Sequence, residues 1–180
     1  MARLFVILAM QVFTAGIVFA QWDKPSALIV PEADGFVIIP GAAIPIQKKR
    51  IYRAVFDGTR VAADATKLLP VLNMVGSELN GLAASGVSLA NAKFVIVFHG
   101  PAVDGILDDA HYGAKFGTGN PNLKVLSELK KAGVLIYVCG QHLAGENIDP
   151  KVLSRDVTVA SDALIVLMAY QNDGYALMSF

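Results

Sequence analysis

Cysteine is nearly absent from this 180-residue chain: Cys139 stands alone, which excludes an internal disulfide framework and a Cys-rich zinc site within one copy. Net charge is absent as well. Fifteen Lys and Arg offset fifteen Asp and Glu, so the composition provides no basic character to attract nucleic acid. The chain carries no Gly-x-Ser-x-Gly elbow and no His-Glu-x-x-His, and Gly113, Gly117 and Gly119 have the spacing of neither a dinucleotide fingerprint nor a phosphate loop. They read as a flexible connection. Asp108, Asp109 and His111 read as solvated loop, and three histidines in three separate loops offer no ligand spacing, so neither metal nor cofactor is expected. What the chain has in plenty is apolar surface, at 54% of residues. That excludes a disordered chain and suits one compact domain with a substantial core.

Residues 1–20 form a unit of their own, with Arg3 as the one charge and an apolar run over 4–20 broken only by Gln11, Thr14 and Gly16. Val18 and Ala20 stand three and one residues before a candidate cleavage point ahead of Gln21, the pattern of a secretory signal peptide. The uncharged stretch 4–22 is nineteen residues, barely enough to cross a bilayer, so a retained anchor is the alternative. With cleavage, the expected product is periplasmic or secreted and has no membrane partner. A lipoprotein would need a cysteine just after the cleavage point, and none is there.

Residues 21–49 hold Pro25, Pro31, Pro40 and Pro45 among apolar pieces. Such spacing forbids a helix and disfavours a central strand, which predicts an extended arm lying against the globular body or another subunit. From residue 50 strand and helix alternate. Strands are predicted at 51–56, 93–98, 134–138 and 157–159, with a last apolar piece at 175–178. Leu72, Val75, Leu79 and Leu82 share one face of a first helix, for which Pro70 must lie in the first turn and Asp64 or Thr66 is a candidate cap. Asn120, Pro121 and Gly133 bound a second helix, and Ser161 is a candidate cap for a helix ending at Gly174. Alternation with almost wholly apolar strands implies a parallel sheet between two layers of helices.

In such a sheet ligands bind beyond the carboxyl ends of the strands. His99-Gly100 follows one strand, and Cys139-Gly140-Gln141-His142 follows the next. If those strands are neighbours, His99 and Cys139 reach one another, and an imidazole or a cluster of amides would favour a reactive thiolate. Gly140 would let the backbone approach a substrate. The competing reading is a packed, inert cysteine, a common fate of free thiols.

The run FVIVFHG at 94–100, NPN at 120–122, KAGV at 131–134 leading to VCGQ at 138–141, and QNDGY at 171–175 resemble, in order and spacing, exported members of the DsrE/DsrF-like family. The resemblance covers about residues 50–180. It implies a three-layer α/β/α sandwich with a mostly parallel five-stranded sheet, assembled as homotrimers or hexamers. It also implies a persulfide-carrying cysteine after the third strand, the position Cys139 occupies.

The function expected is therefore exported sulfur handling. Cys139 would act with His99 or His142, Gly100, Gly140 and Gln141 would line the substrate, and a sulfur donor or acceptor, protein or small compound, would be the partner. This is carriage rather than enzymatic turnover. The alternative is a non-catalytic oligomeric module with a buried cysteine, and a redox enzyme would lack a resolving cysteine in the chain.

Overall fold

The computed structural model describes residues 22–179, and the leader expected at 1–20 lies outside them. Five strands, β1 (Tyr52–Gly58), β2 (Ala92–Phe98), β3 (Leu135–Cys139), β4 (Thr158–Ala160) and β5 (Ala176–Met178), make one sheet in the order β4-β3-β2-β1-β5. Every pair is parallel. The helices are α1 (Pro70–Ala84), α2 (Asp109–Phe116), α3 (Asn122–Lys131), α4 (Gly140–Gly145) and α5 (Ala163–Asn172).

Side chains alternate across a strand, so β2 feeds two cores. Phe94, Ile96 and Phe98 join the larger one with Leu72, Val75 and Leu79 of α1 and Leu126 and Leu129 of α3. Val95 and Val97 face the other way, against Ala163 and Leu167 of α5. This is the expected three-layer sandwich, with one face deeply covered and the other covered mainly by a single helix.

Element boundaries differ from expectation where local hydrogen bonds decide them. Asp64 and Thr66 close a turn, Thr66 N donating to Asp64 Oδ1 at 2.8 Å, and α1 begins only at Pro70. The Leu69 amide before it is satisfied from afar, donating to Asn122 Oδ1 at 2.8 Å. Helix α3 begins at Asn122 with Pro121 in the cap position, one residue later than expected, and Asn120 Oδ1 accepts from Asn122 N at 2.9 Å. The segment expected as solvated loop at Asp108, Asp109 and His111 is instead the start of α2. Asp108 Oδ1 accepts from His111 N at 2.8 Å, and Gly117, at φ 73°, ends the helix. Tyr112 is the one residue of α2 that is buried, too little apolar pattern to signal a helix.

The arm lies against its own domain through residue 36, with Val30 and Ala33 buried. One buried amide holds it. Asn80 Oδ1 accepts from Ile29 N (2.8 Å) and Val30 N (3.0 Å), while Nδ2 donates to Val30 O (3.0 Å) and Asp34 O (3.2 Å). Gly81 of α1 makes room for the Phe36 ring, which a Cβ there would meet at 2.5 Å. Lys124 of α3 adds an ion pair to Glu32.

Asn80→Ala strands two arm amides in a dry contact and is expected to cost about 2–4 kcal/mol. A lower urea midpoint with new protease cleavage between residues 22 and 36 is the outcome to look for; an unchanged midpoint would mean that the arm adds nothing to stability.

Candidate functional site at the carboxyl edge of the sheet

Parallel pairing brings the ends of β1, β2 and β3 side by side. Phe98 stands opposite Val138, so His99 and Cys139 occupy the next positions on adjacent strands. Asp57 stands opposite Val97 on the far side of β2. Val55, Val97 and Cys139 all pack on the α5 face, and Asp57 and His99, each two residues beyond a member of that set, share it. A row Asp57, His99, Cys139 results.

Within that row, His99 Nε2 lies 2.7 Å from Asp57 Oδ1. A carboxylate only accepts, so Nε2 carries the hydrogen and Nδ1 is left as the ring's acceptor. The pair is partly open to solvent, and the His99 backbone is pinned by donating to Gly58 O at 3.1 Å.

Cys139 is 5% exposed, yet its surroundings are polar. His142 N donates to Sγ at 3.4 Å, and Ala163 N donates to it at 3.3 Å. The thiol itself donates to Asp162 Oδ2 at 3.8 Å. Both amides belong to the first turns of helices, α4 and α5, where N–H groups have no intrahelical acceptor and the local field is positive. An anionic sulfur there finds two donors, and the neutral thiol finds an acceptor in Asp162. Asp162 is also the cap of α5, its Oδ1 accepting from Ile165 N at 3.1 Å, in place of the expected Ser161. Below the thiol, Tyr137 and Tyr170 bring their hydroxyls within 3.3 Å, and burial, then that hydrogen bond, push the Tyr170 phenol above its usual range.

The expected residues separate into two groups. Among the described residues the thiol's hydrogen-bond partners include neither imidazole: His99 is turned to Asp57, and His142 contributes its backbone amide. The His142 side chain lines a polar pocket of about 430 Å³ with Gly100, Asp104, Lys115 and Glu146. Gln141 is exposed on the first turn of α4. Gly140 has a packing role, because a Cβ there would lie 2.7 Å from Ala160 O and 3.2 Å from Ser161 O. Its bare backbone lets α4 begin against β4. Asp57 and Asp162, both at this edge, were not among the candidates. Their signal in the sequence was only that each follows or ends a strand. Among the described residues no cluster of His, Cys, Asp and Glu could hold a metal ion.

A parallel α/β sandwich with a polar-lined thiol at its carboxyl edge defines the class. The DsrE/DsrF-like family model matches residues 73–180, more than half of the chain, and the chain belongs to that family. Among solved structures it is similar to a protein of unknown function from Methanobacterium thermoautotrophicum, at 22% identity over 72% of this chain and 99% of that one, with a TM-score of 0.54. That likeness bears on the fold. No curated protein matches the chain.

Gly140→Ala forces backbone apart at the thiol and is expected to cost about 1–3 kcal/mol. Asp162→Ala, losing a helix cap, is expected to cost about 1 kcal/mol. Thermal unfolding checks both, and a neutral Gly140→Ala would show that the β4 contact yields easily.

Proposed function

We propose that the protein is an exported sulfur carrier that holds sulfane sulfur as a persulfide on Cys139. The observation that carries the reading is the pair of helix-start amides on Sγ, since a persulfide anion needs fixed donors in a place shielded from water. Family membership supports it, and so does the polar company of the thiol, which an inert packed cysteine would not need. Export is supported by the apolar run at 4–20 behind Arg3.

In the loading step the Cys139 thiolate attacks the outer sulfur of a donor such as thiosulfate. A new S–S bond forms at Sγ, the donor's S–S bond breaks, and its electron pair leaves with sulfite. No outside oxidant is needed, because sulfur changes hands at one oxidation level. The thiol proton leaves past Asp162, whose Oδ2 accepts its hydrogen bond, to solvent, and the Asp57–His99 pair lies one strand away, with Nδ1 able to accept a proton from an incoming thiol. Unloading is the same exchange with an acceptor thiolate attacking the terminal sulfur.

Mass spectrometry of protein incubated with polysulfide or thiosulfate should show an added mass of about 32 Da, one sulfur atom, on the wild type and none on Cys139→Ser. A wild type that stays unmodified with every donor ends the carrier reading.

Self-association is part of the same reading. Helix α5 exposes Leu164 (61%), Ile165 (54%) and Met168 (51%), an apolar outer face beside the thiol that suits a subunit contact in a trimer or hexamer. Sedimentation should find an assembled wild type and a dissociated Leu164→Asp/Met168→Asp double variant; a monomeric wild type would refute assembly through this face.

A further inference from the structure

A chain of zero net charge can still gather like charges locally, and this one does. All strands are parallel, so their amino ends and the carboxyl ends of the preceding helices collect at the face opposite the thiol. Lys48, Lys49, Arg50, Arg53 and Lys93 gather there: Arg53 and Lys93 are register partners at the starts of β1 and β2, and the Lys48 side chain lies against Gly86 at the end of α1. All five are exposed. From Gly35 to Phe56 there is no Asp or Glu at all. The acidic residues near this end are Asp156, Asp173, Asp23 beside Trp22, Glu128 near the end of α3 beside Lys131, and Glu78, the last lining a cavity with Arg53. At the thiol end stand Asp57, Asp104, Asp108, Glu146 and Asp162, interspersed with Arg60, Lys115, which pairs with Asp104, and Lys151.

Beside the basic residues the arm leaves the domain surface. After Phe36 it forms a loop that exposes Ile38 (48%), Ile39 (48%) and Ile44 (87%), and with the end of α1 it walls a groove of about 460 Å³ whose charged lining is Lys48 alone. Isoleucines held this far out contribute nothing to the domain's own core. The antiparallel bridge between Ser26 and Phe36 brings the beginning of the arm back to the start of this loop, with Trp22, 59% exposed, four residues upstream. Directly before it in the chain comes the uncharged run 4–20.

We infer that this end of the molecule is a docking surface for an anionic lipid bilayer. The isoleucine loop and Trp22 enter the headgroup region, and the basic cluster lies against acidic headgroups. Each part matches what such a surface requires: aliphatic side chains that enter the acyl boundary, an indole suited to the interface, and lysine and arginine within a Debye length of negative phosphate. The sequence alone assigned no membrane partner once the leader is removed; the reason to assign one is the placement of these residues at one end. Docked so, the protein presents the carboxyl edge of the sheet, with Cys139, away from the lipid. The inference does not depend on the sulfur chemistry of that edge.

The test uses the full chain with Trp22→Phe and Ile44→Trp, a solvent-facing replacement that leaves the core untouched. It is reconstituted in phosphatidylcholine vesicles with or without phosphatidylglycerol, so that the apolar run associates with both. With phosphatidylglycerol the Ile44→Trp indole should be quenched by brominated acyl chains and be several-fold less accessible to acrylamide than on phosphatidylcholine alone. A Val61→Trp indole at the opposite end should remain open on both. Lys48→Glu/Lys49→Glu/Arg50→Glu, or high salt, should restore acrylamide access, and neutral Lys48→Gln/Lys49→Gln/Arg50→Gln should weaken docking by about fivefold in equilibrium constant for each positive charge removed. Equal access on the two vesicle types overturns the inference. Shielding that arises without lipid and grows with protein concentration overturns it too, assigning the loop to a second copy of the chain.

Discussion

Parallel pairing of five strands is the constraint on which the rest of the molecule depends. It forces each connection to return across a face of the sheet, which is why β2 must be apolar on both sides and why helices cover it above and below. It also sorts the molecule by direction. Every strand's carboxyl end, and each helix start that follows, falls at one edge; the other edge collects strand starts and helix ends. The contacts to Cys139 follow from this sorting. Its sulfur receives amides from α4, which begins directly after its own strand, and from α5, which begins after the neighbouring strand, β4. No side chain had to be chosen to supply those donors.

The same directionality explains the glycine at 140. Two helix starts can converge on one sulfur only if the chain leaving β3 passes close to the chain leaving β4, and Gly140 accommodates that approach against Ala160 O and Ser161 O. A small residue here permits the polar cradle rather than contacting what the cradle holds. On the opposite face α1 repeats the device, with Gly81 admitting the Phe36 ring and Asn80 satisfying arm backbone that would otherwise be buried without partners.

How much of this was legible in the sequence depends on the distance over which each interaction acts. The central strand β2 was readable because burial on two faces leaves an unbroken apolar run, and α3 because Asn120, Pro121 and Gly133 are neighbours of the helix they delimit. The fold class and the edge position of Cys139 and His99 followed from alternation alone. Helix α2 was hidden by its single buried side chain, and the α5 cap was ambiguous because Ser161 and Asp162 are both capping types standing together. The thiol's partners were out of reach for a different reason. Backbone amides have no letter in a sequence, and Asp162 and Asp57 lie 23 and 42 residues from the groups they meet, so only the register of the sheet joins them.

Net charge illustrates the limit further. Fifteen positive and fifteen negative side chains cancel in composition, and from the composition no electrostatic partner follows. Cancellation in sum is compatible with separation in space, and a parallel sheet provides an axis along which to separate. Basic residues at strand starts complement the negative carboxyl ends of the helices that precede them, and acidic residues at helix starts complement positive amino ends, each choice favoured locally by the helix dipole. Asp108 and Asp162 at helix starts and Lys130 and Lys131 at the end of α3 follow that preference, and the strand starts at Arg53 and Lys93 add to the basic cluster. A thiol that prefers amide donors belongs at the edge where helices begin. A surface that seeks anionic lipid belongs at the other, where they finish, so a single topological rule separates the chemistry of this protein from its attachment.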